Sequence, residues 1–459
     1  MALSPLDGRY KQKVQSLSMF NETEWYIYRL NVEIDYFAYL IKLLVSEKQI
    51  IYDNVDTLLD KIRSIVSNIN KETIVKEIKE IEATTKHDIK AIEYWLRRIL
   101  LNNKPDLTHI LEYIHFGLTS QDINSVAFSL QLKDAVDVIT KRAKIVYSSL
   151  TNMIDIPHRR TPMLALTHGQ PAVPTVLHKE LLVFAERLEY TLDYINDHWH
   201  LTKIGGAVGN MNAHYLAFPE IDWKKEMEKF CKELGLDRWQ RTTQVSNYDD
   251  IGIVSGLLVS MNCVLLDLSR DIWGYISRGI FKLRKDEGQV GSSTMPQKVN
   301  PIDFENAEGN IAVANSLLQM MQTKLPVSRF QRDLSDSTVL RNYGVCMGHI
   351  LVALESMING LGKLDVDFGM MKEELERHPE VLAEAVQIIL RKNGILNGYD
   401  IIKQITQGMK YQDLDTFKSD IIEYIKDLDN IGERDKIFIG MEIQKLSYEG
   451  YIGDYWDKK

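Results

Sequence analysis

Residues 254–275 read "VSGLLVSMNCVLLDLSRDIWGY", and the spacing of the apolar residues in this stretch decides the fold class. Val254, Leu258, Met261, Leu265, Leu268, Ile272 and Tyr275 fall alternately four and three apart. That is the period of one helix face, whereas a strand alternates every second residue. The rhythm recurs in Leu132, Val136, Ile139, Ala143, Val146, Leu150 and Met153, and again in Leu181, Ala185, Leu188, Leu192, Ile195 and Trp199. Spacing sustained in this way predicts long helices packed side by side at a shallow angle. A helix of roughly 25 residues spans about 37 Å, so several together make a long bundle. No proline occurs between Pro5 and Pro105 or between Pro219 and Pro296, which leaves room for uninterrupted helices. Strand-like alternation is nearly absent. The expected fold is all-α in three helical parts: an N-terminal domain at 1–113, a central long-helix bundle at 114–365 and a C-terminal domain at 366–459.

At 459 residues, 45% hydrophobic and 26% charged, the chain has the composition of a soluble globular protein too long for one core. Its net charge of -9 argues against a general nucleic-acid binder, which needs a basic face. The only cysteines, Cys231, Cys263 and Cys346, are dispersed. They suggest neither a disulfide framework nor a thiolate zinc site, and they fit a reducing compartment. The start "MALSPLDGRYKQKV" lacks an apolar signal core, and no apolar run approaches the roughly 20 residues of a membrane span. A cytoplasmic protein with no membrane partner is expected.

Chemistry is sought in the breaker-rich segments between helices, because rigid helices position the turns that join them. In "THGQPAVPT", 167–175, the prolines and glycine forbid a regular helix and leave His168 exposed. Histidine is suited to proton exchange near neutral pH. "ATTKHDIKAIEYWL", 83–96, sets Lys86, His87 and Asp88 at a helix start, where free backbone amides favour an anion. "HFGLTSQDINS", 115–125, offers Thr119 and Ser120 as a cap or as donors to a ligand. "LPVSRFQRDLSDSTVLRN", 325–342, carries Arg329, Arg332 and Arg341 with Ser335, Ser337 and Thr338, a set suited to carboxylates and phosphates. "LDGRY", 6–10, adds Arg9 and Tyr10. "GQVGSSTMPQKVNP", 288–301, has the small residues of a loop able to close over a ligand. Ser292 and Ser293 stand there as bases or nucleophiles, and Lys298 and Asn300 as donors to one carboxylate. Read singly, each segment is also what an ordinary cap, turn or connector looks like.

Several classes are excluded. There is no GxSxG elbow and no HExxH, and His109 and His115 are six apart, wrong for one helix face. "GGAVGNMNA", 205–213, follows a helix and is not a GxGxxG after a strand, so no nucleotide cofactor is expected. No metal is expected either.

Three segments in order, "GLTSQDIN", "THGQPAVPT" and "GSSTMPQKVNP", resemble the signature regions of the fumarase/aspartase superfamily. "SPLDGRY", "TTKHDIKAIEY", "GAVGNMNAH", "STMPQKVNPIDFEN" and "SRFQRDLSDSTVLRN" resemble its adenylosuccinate-cleaving branch, in the bacterial-type form. The likeness covers essentially the whole chain. It implies an all-helical, three-domain fold and a homotetramer whose active sites are each built from three subunits. It implies fumarate release by β-elimination from a succinylated purine nucleotide, without cofactor. In that scheme Ser292 is the loop base and His168 the general acid. Glu305 orients His168, His87 helps hold substrate, and Lys298 and Asn300 bind the succinyl part. Arg9, Tyr10, Thr119, Ser120, Gln244, Asn306, Arg332, Ser337 and Arg341 complete the contacts, with Lys86, Asp88 and Thr338 beside them. Two letters depart from the branch. Gln297 stands where many members have histidine and is commoner in argininosuccinate-cleaving relatives, and Lys86 stands where asparagine is frequent. An argininosuccinate-cleaving or other fumarate-releasing lyase, or a non-catalytic helical scaffold, are the rival readings.

Overall fold

The apolar stripes become buried helix faces. In the computed structural model, which describes residues 3–103, 105–284, 294–295 and 297–456, the long helices are Glu22–Ser46, Ser120–Asn152, Leu177–Asn196, Asp249–Ser277, Ile302–Lys324 and Tyr343–Leu361. Leu132, Ile139, Ala143, Val146 and Leu150 are fully or almost fully buried, as are Leu181, Leu188, Val254, Leu258, Met261, Leu265 and Ile272. Trp199 departs from its stripe. Its helix ends at Asn196, so Trp199 falls in the following segment and is 71% exposed.

Among the described residues, strands are confined to three two-stranded pieces. The largest pairs Pro162–Thr167 antiparallel with Gln170–Val176. "THGQPAVPT" is therefore the turn and second strand of a hairpin. Its prolines at 171 and 174 hid the period-2 pattern.

Two apolar helical stretches, Asp249–Ser277 and Ser335–Leu361, reach the length and hydropathy of a membrane span, with 56% and 72% of their most apolar windows buried. This corrects the expectation that no stretch approaches that length. Scattered polar residues interrupt the apolar run, and several of them donate hydrogen bonds inside the protein. Ser255 and Ser269 donate to the carbonyls of Ile251 and Leu265, and Asn262 donates to Asn315 at 2.8 Å. A core helix with such internal pairs has the same composition as a span.

The chain divides into two compact units: residues 1–143, 190–263 and 307–355, and residues 144–189, 264–306 and 356–459. The first has a core rich in aromatics, with Tyr36, Phe37, Trp95, Trp223 and Phe230 buried. In the second, Leu382, Val386, Leu390, Phe417, Ile421, Ile439 and Ile443 form a core among the C-terminal helices.

Candidate active site

The first unit holds a cavity of about 680 Å³, within the range of small-molecule sites. Three separated segments meet in it: Lys86, His87 and Asp88; Ser120, Gln121 and Asn124; and Arg332, Ser337 and Arg341. Local conformation explains how each arrives. The Lys71–Thr85 helix stops at Lys86, a left-handed cap with φ 54°, and a new helix starts at Asp88. His87 thus stands exposed at a helix junction, with its Nε2 3.3 Å from Ser120 Oγ. Ser120 opens the Ser120–Asn152 helix. Gln121 points its amide oxygen at the Arg332 guanidinium, 2.5 and 2.9 Å away in the orientation that satisfies both groups.

The helix Glu22–Ser46 lines the same cavity with Trp25, Tyr26 and Arg29. Arg29 is buried, pairs with Asp88 at 2.9 Å and lies 4.1 Å from the Trp25 ring centre. Burial pulls its pKa down to about 10, and Asp88 opposes that shift. None of Trp25, Tyr26, Arg29, Gln121 or Tyr248 was singled out from sequence. A signal existed for Arg29: it stands among Trp25, Tyr26, Ile27, Leu30 and Val32, and a charge on such an apolar and aromatic stretch needs a partner when buried. The cavity carries Arg29, Lys86, Arg332 and Arg341 against Glu22, Glu82 and Asp88. Cations, hydroxyls and aromatic walls together suit an anionic ligand with a planar ring.

Other candidates in this unit lie outside the cavity lining. Thr119 gives its backbone N–H to Asp122 at 2.8 Å. Gln244 donates its backbone N–H to Gln331 O and its Nε2 to Ala207 O, both at 3.1 Å. Arg9 is exposed and Tyr10 half-buried, in a turn closed by the Tyr10 N–H on Pro5 O at 2.9 Å. Thr338 is exposed on the short helix Ser335–Leu340.

The second unit carries the remaining candidates. His168 and Gly169 form the two-residue turn of the hairpin, with φ of 52° and 71°. A turn of this kind requires positive φ at both positions, and the strained histidine is presented exposed at the tip. Glu305, in the first turn of Ile302–Lys324, takes a hydrogen bond from Trp273 Nε1 at 3.2 Å within this chain. Asn306 accepts one from Ser356 at 2.9 Å. Lys298 is exposed and Asn300 half-buried. Ser292 and Ser293 lie outside the described residues. Among the described residues, no group of three or more His, Cys, Asp or Glu is placed to hold a metal ion.

Comparison with known proteins supplies the family. A "Lyase" family model matches residues 8–314 and an "Adenylosuccinate lyase C-terminal" model matches residues 328–452. An adenylosuccinate lyase of Dictyostelium discoideum is 42% identical over 99% of this chain and 97% of its own length. One of Haemophilus influenzae is 40% identical over 98% of this chain and 96% of its own. A fumarate lyase from Mesorhizobium sp. BNC1 has a similar fold, with TM-score 0.73 at 18% identity over 97% of this chain and 96% of that one. The two family models, matched in sequence along the chain, and relatives similar over nearly its whole length establish that it belongs to the adenylosuccinate lyase family.

Proposed function

We infer that the chain is an adenylosuccinate lyase, a carbon–nitrogen lyase that releases fumarate. It converts adenylosuccinate to AMP, and the succinylated aminoimidazole carboxamide ribotide of purine biosynthesis to the carboxamide ribotide. The observation that carries this reading is the full-length similarity to adenylosuccinate lyases at about 40% identity. The cavity supports it. Its arginines, lysine and hydroxyls suit a phosphate of charge about -1.5 to -2 and two carboxylates, and its aromatic walls suit a base.

In the proposed mechanism a base removes the proton from the carbon next to one succinyl carboxylate. Negative charge gathers on that carboxylate, where Lys298 and Asn300 serve as fixed donors. The carbon–nitrogen bond then breaks with its electron pair going to nitrogen, and His168 supplies the proton. Such a positioned donor is worth roughly 10²–10⁴-fold. Ser292 is the proposed base, activated as an alkoxide by Lys298 or by loop amides. Glu305 orients His168. Lys86, His87, Asp88, Thr119, Ser120, Gln244, Asn306, Arg332, Ser337, Thr338 and Arg341 contact substrate, with Arg9 and Tyr10. No step calls for a cofactor.

The active protein is proposed to be a cytoplasmic homotetramer with sites shared between subunits, each chain divided at 1–113, 114–365 and 366–459. Sharing is supported by the wide spacing of the candidate groups along the chain. Mixing a His168→Gln protein with a Ser292→Ala protein tests it: hybrids regain activity if sites are shared and stay inactive if each chain builds its own.

The substrate assignment is tested by offering purified protein adenylosuccinate, argininosuccinate, malate and aspartate separately. Fumarate from adenylosuccinate alone is expected. Argininosuccinate cleavage, which Gln297 favours, would replace the assignment, and no fumarate from any of the four would leave a scaffold.

A further inference from the structure

We propose that the buried Asp122–Lys203 pair and the glycine-rich loop after it form a brace that sets Thr119 and Ser120 at one end and Gln244 at the other. This rests on the reading of the chain as a lyase of succinylated purine nucleotides. The glycine cluster at 205–213 follows the two-residue strand Leu201–Thr202 and not a helix as the sequence suggested, and its contacts give it a structural task.

Asp122 and Lys203 are both fully buried, 2.6 Å apart. The Asp122 carboxylate also accepts the N–H of Thr119 at 2.8 Å, of Gly205 at 2.7 Å and of Gly206 at 3.2 Å. Lys203 donates a second hydrogen bond to Gly206 O at 2.7 Å, and its own N–H goes to Ser125 Oγ at 2.9 Å. Burial pulls the Lys203 pKa down, with Asp122 the main counterweight. A buried pair of this kind is a poor stability device, because apolar residues of similar volume serve as well or better. It does hold four donors from two segments on one carboxylate.

On one side, the Thr119 amide bonded to Asp122 adjoins Ser120, which meets His87 at 3.3 Å, and Gln121, which faces Arg332. On the other side the loop passes to Ala207, whose carbonyl receives Gln244 Nε2. No slack separates the two. Arg238 Nε ties Ile204 O at 3.0 Å, and Gly205 lies against Gly209, where an added Cβ would be 3.0 Å from Gly209 Cα. Gly209, with φ +84°, lies so close to Thr242 that a Cβ would come within 2.1 Å of the Thr242 carbonyl oxygen. Displacement of the carboxylate therefore reaches Ser120 directly and Gln244 through the loop. Asp122 is a positioning residue, acting through Thr119, Ser120 and Gln244.

The test uses the full chain with Asp122→Asn, Lys203→Met and the double variant. Each single change strands a buried group and lowers Tm, and the double recovers most of that loss. An asparagine has one acceptor oxygen, so whichever way it turns an amide hydrogen faces Thr119 or the glycines. In the double variant KM for adenylosuccinate is expected to rise about tenfold or more with kcat within about threefold, because binding contacts are displaced. The Thr119 and Gly206 amides should exchange faster with solvent deuterium. A double variant with recovered Tm and wild-type KM would overturn the brace. If the double variant does not fold, Gly206→Ala replaces it. Its Cβ, 3.2 Å from Gly117 O at φ +74°, strains the loop without unpairing a charge, and an unchanged KM there also overturns the proposal. Failure of the wild type to cleave adenylosuccinate would refute the substrate assignment instead. The brace is then judged by amide exchange alone, with unchanged protection counting against it.

Discussion

Gly117→Ala isolates how tightly the segment before Thr119 is held. Gly117 has φ +68°, and an added Cβ would lie 2.4 Å from the His214 ring carbon Cε1, 2.6 Å from Nδ1 and 2.8 Å from Nε2. Ordinary contact begins at 3.4 Å, so the ring or the backbone must yield by about 1 Å. The ring cannot do so freely. His214 is fully buried, its Nε2 lies 2.7 Å from Tyr36 Oη, and it packs edge-on against Trp223 at 4.8 Å and Phe116 at 6.0 Å. Gly169 is the control. Its φ is +71°, but nothing lies within 4 Å of its Cβ position. Both alanines incur the left-handed backbone penalty, roughly 1–2 kcal/mol. Only Gly117→Ala adds overpacking, a further ~1–3 kcal/mol. The assay is thermal unfolding at matched scan rate and protein concentration, since a long multidomain chain does not give a two-state free energy. Gly117→Ala should lower Tm by several degrees more than Gly169→Ala. In a His214→Ala background the extra loss should largely vanish, because the obstructing ring is gone. Equal losses at the two glycines, or an undiminished Gly117 effect without the ring, would refute the reasoning.

Burial lifts the Asp250 carboxyl to about 7, so its contribution to stability is full at low pH and is lost as pH rises through about 7. The Tm difference between wild type and Asp250→Asn should therefore favour wild type more at pH 5 than at pH 8, and a flat difference counts against the assignment. Burial holds His200 down at about 4 from an ordinary 6.5, so stability is lost as pH falls between those values. His200→Gln should lose less Tm than wild type over that interval. Cys231 and Cys346 are buried, with thiols pushed up to about 12, whereas Cys263 is exposed. A thiol reagent should therefore label at most one cysteine in the native protein and three after unfolding.

Periodicity made the helices legible because a buried stripe repeats along one sequence segment. Leu258, Met261 and Leu265 needed no knowledge of their partners to be recognised as core. Trp199 shows the limit, since a spacing cannot tell where the backbone leaves the helix. The hairpin carrying His168 was legible only as an interruption, because proline at 171 and 174 erased the alternation that betrays a strand. The cavity was harder still. Lys86, Ser120 and Arg332 come from segments far apart in sequence, and only the fold brings them to one lining. Arg29 was invisible for the same reason, as its partner Asp88 is 59 positions away.

The Asp122–Lys203 pair extends this argument from recognition to function. Seen in sequence, Asp122 is the fourth residue of a cap-like "TSQD", and local chemistry explains it fully as a helix start. The structure adds Gly205, Gly206 and Lys203 to the same carboxylate, and none of these is implied by a cap. A cap needs one acceptor near the helix end and tolerates solvent. A carboxylate sealed from solvent with an ammonium and backbone amides from two segments fixes their separation, because moving either segment leaves a buried charge or donor unpaired. That penalty rises steeply with displacement, which makes the junction stiff. The stiffness is applied next to Ser120 and, through Ala207, to Gln244. The substrate contacts proposed for Ser120 and Gln244 need this more than the core does, because a core tolerates small shifts whereas a misplaced contact costs affinity at once.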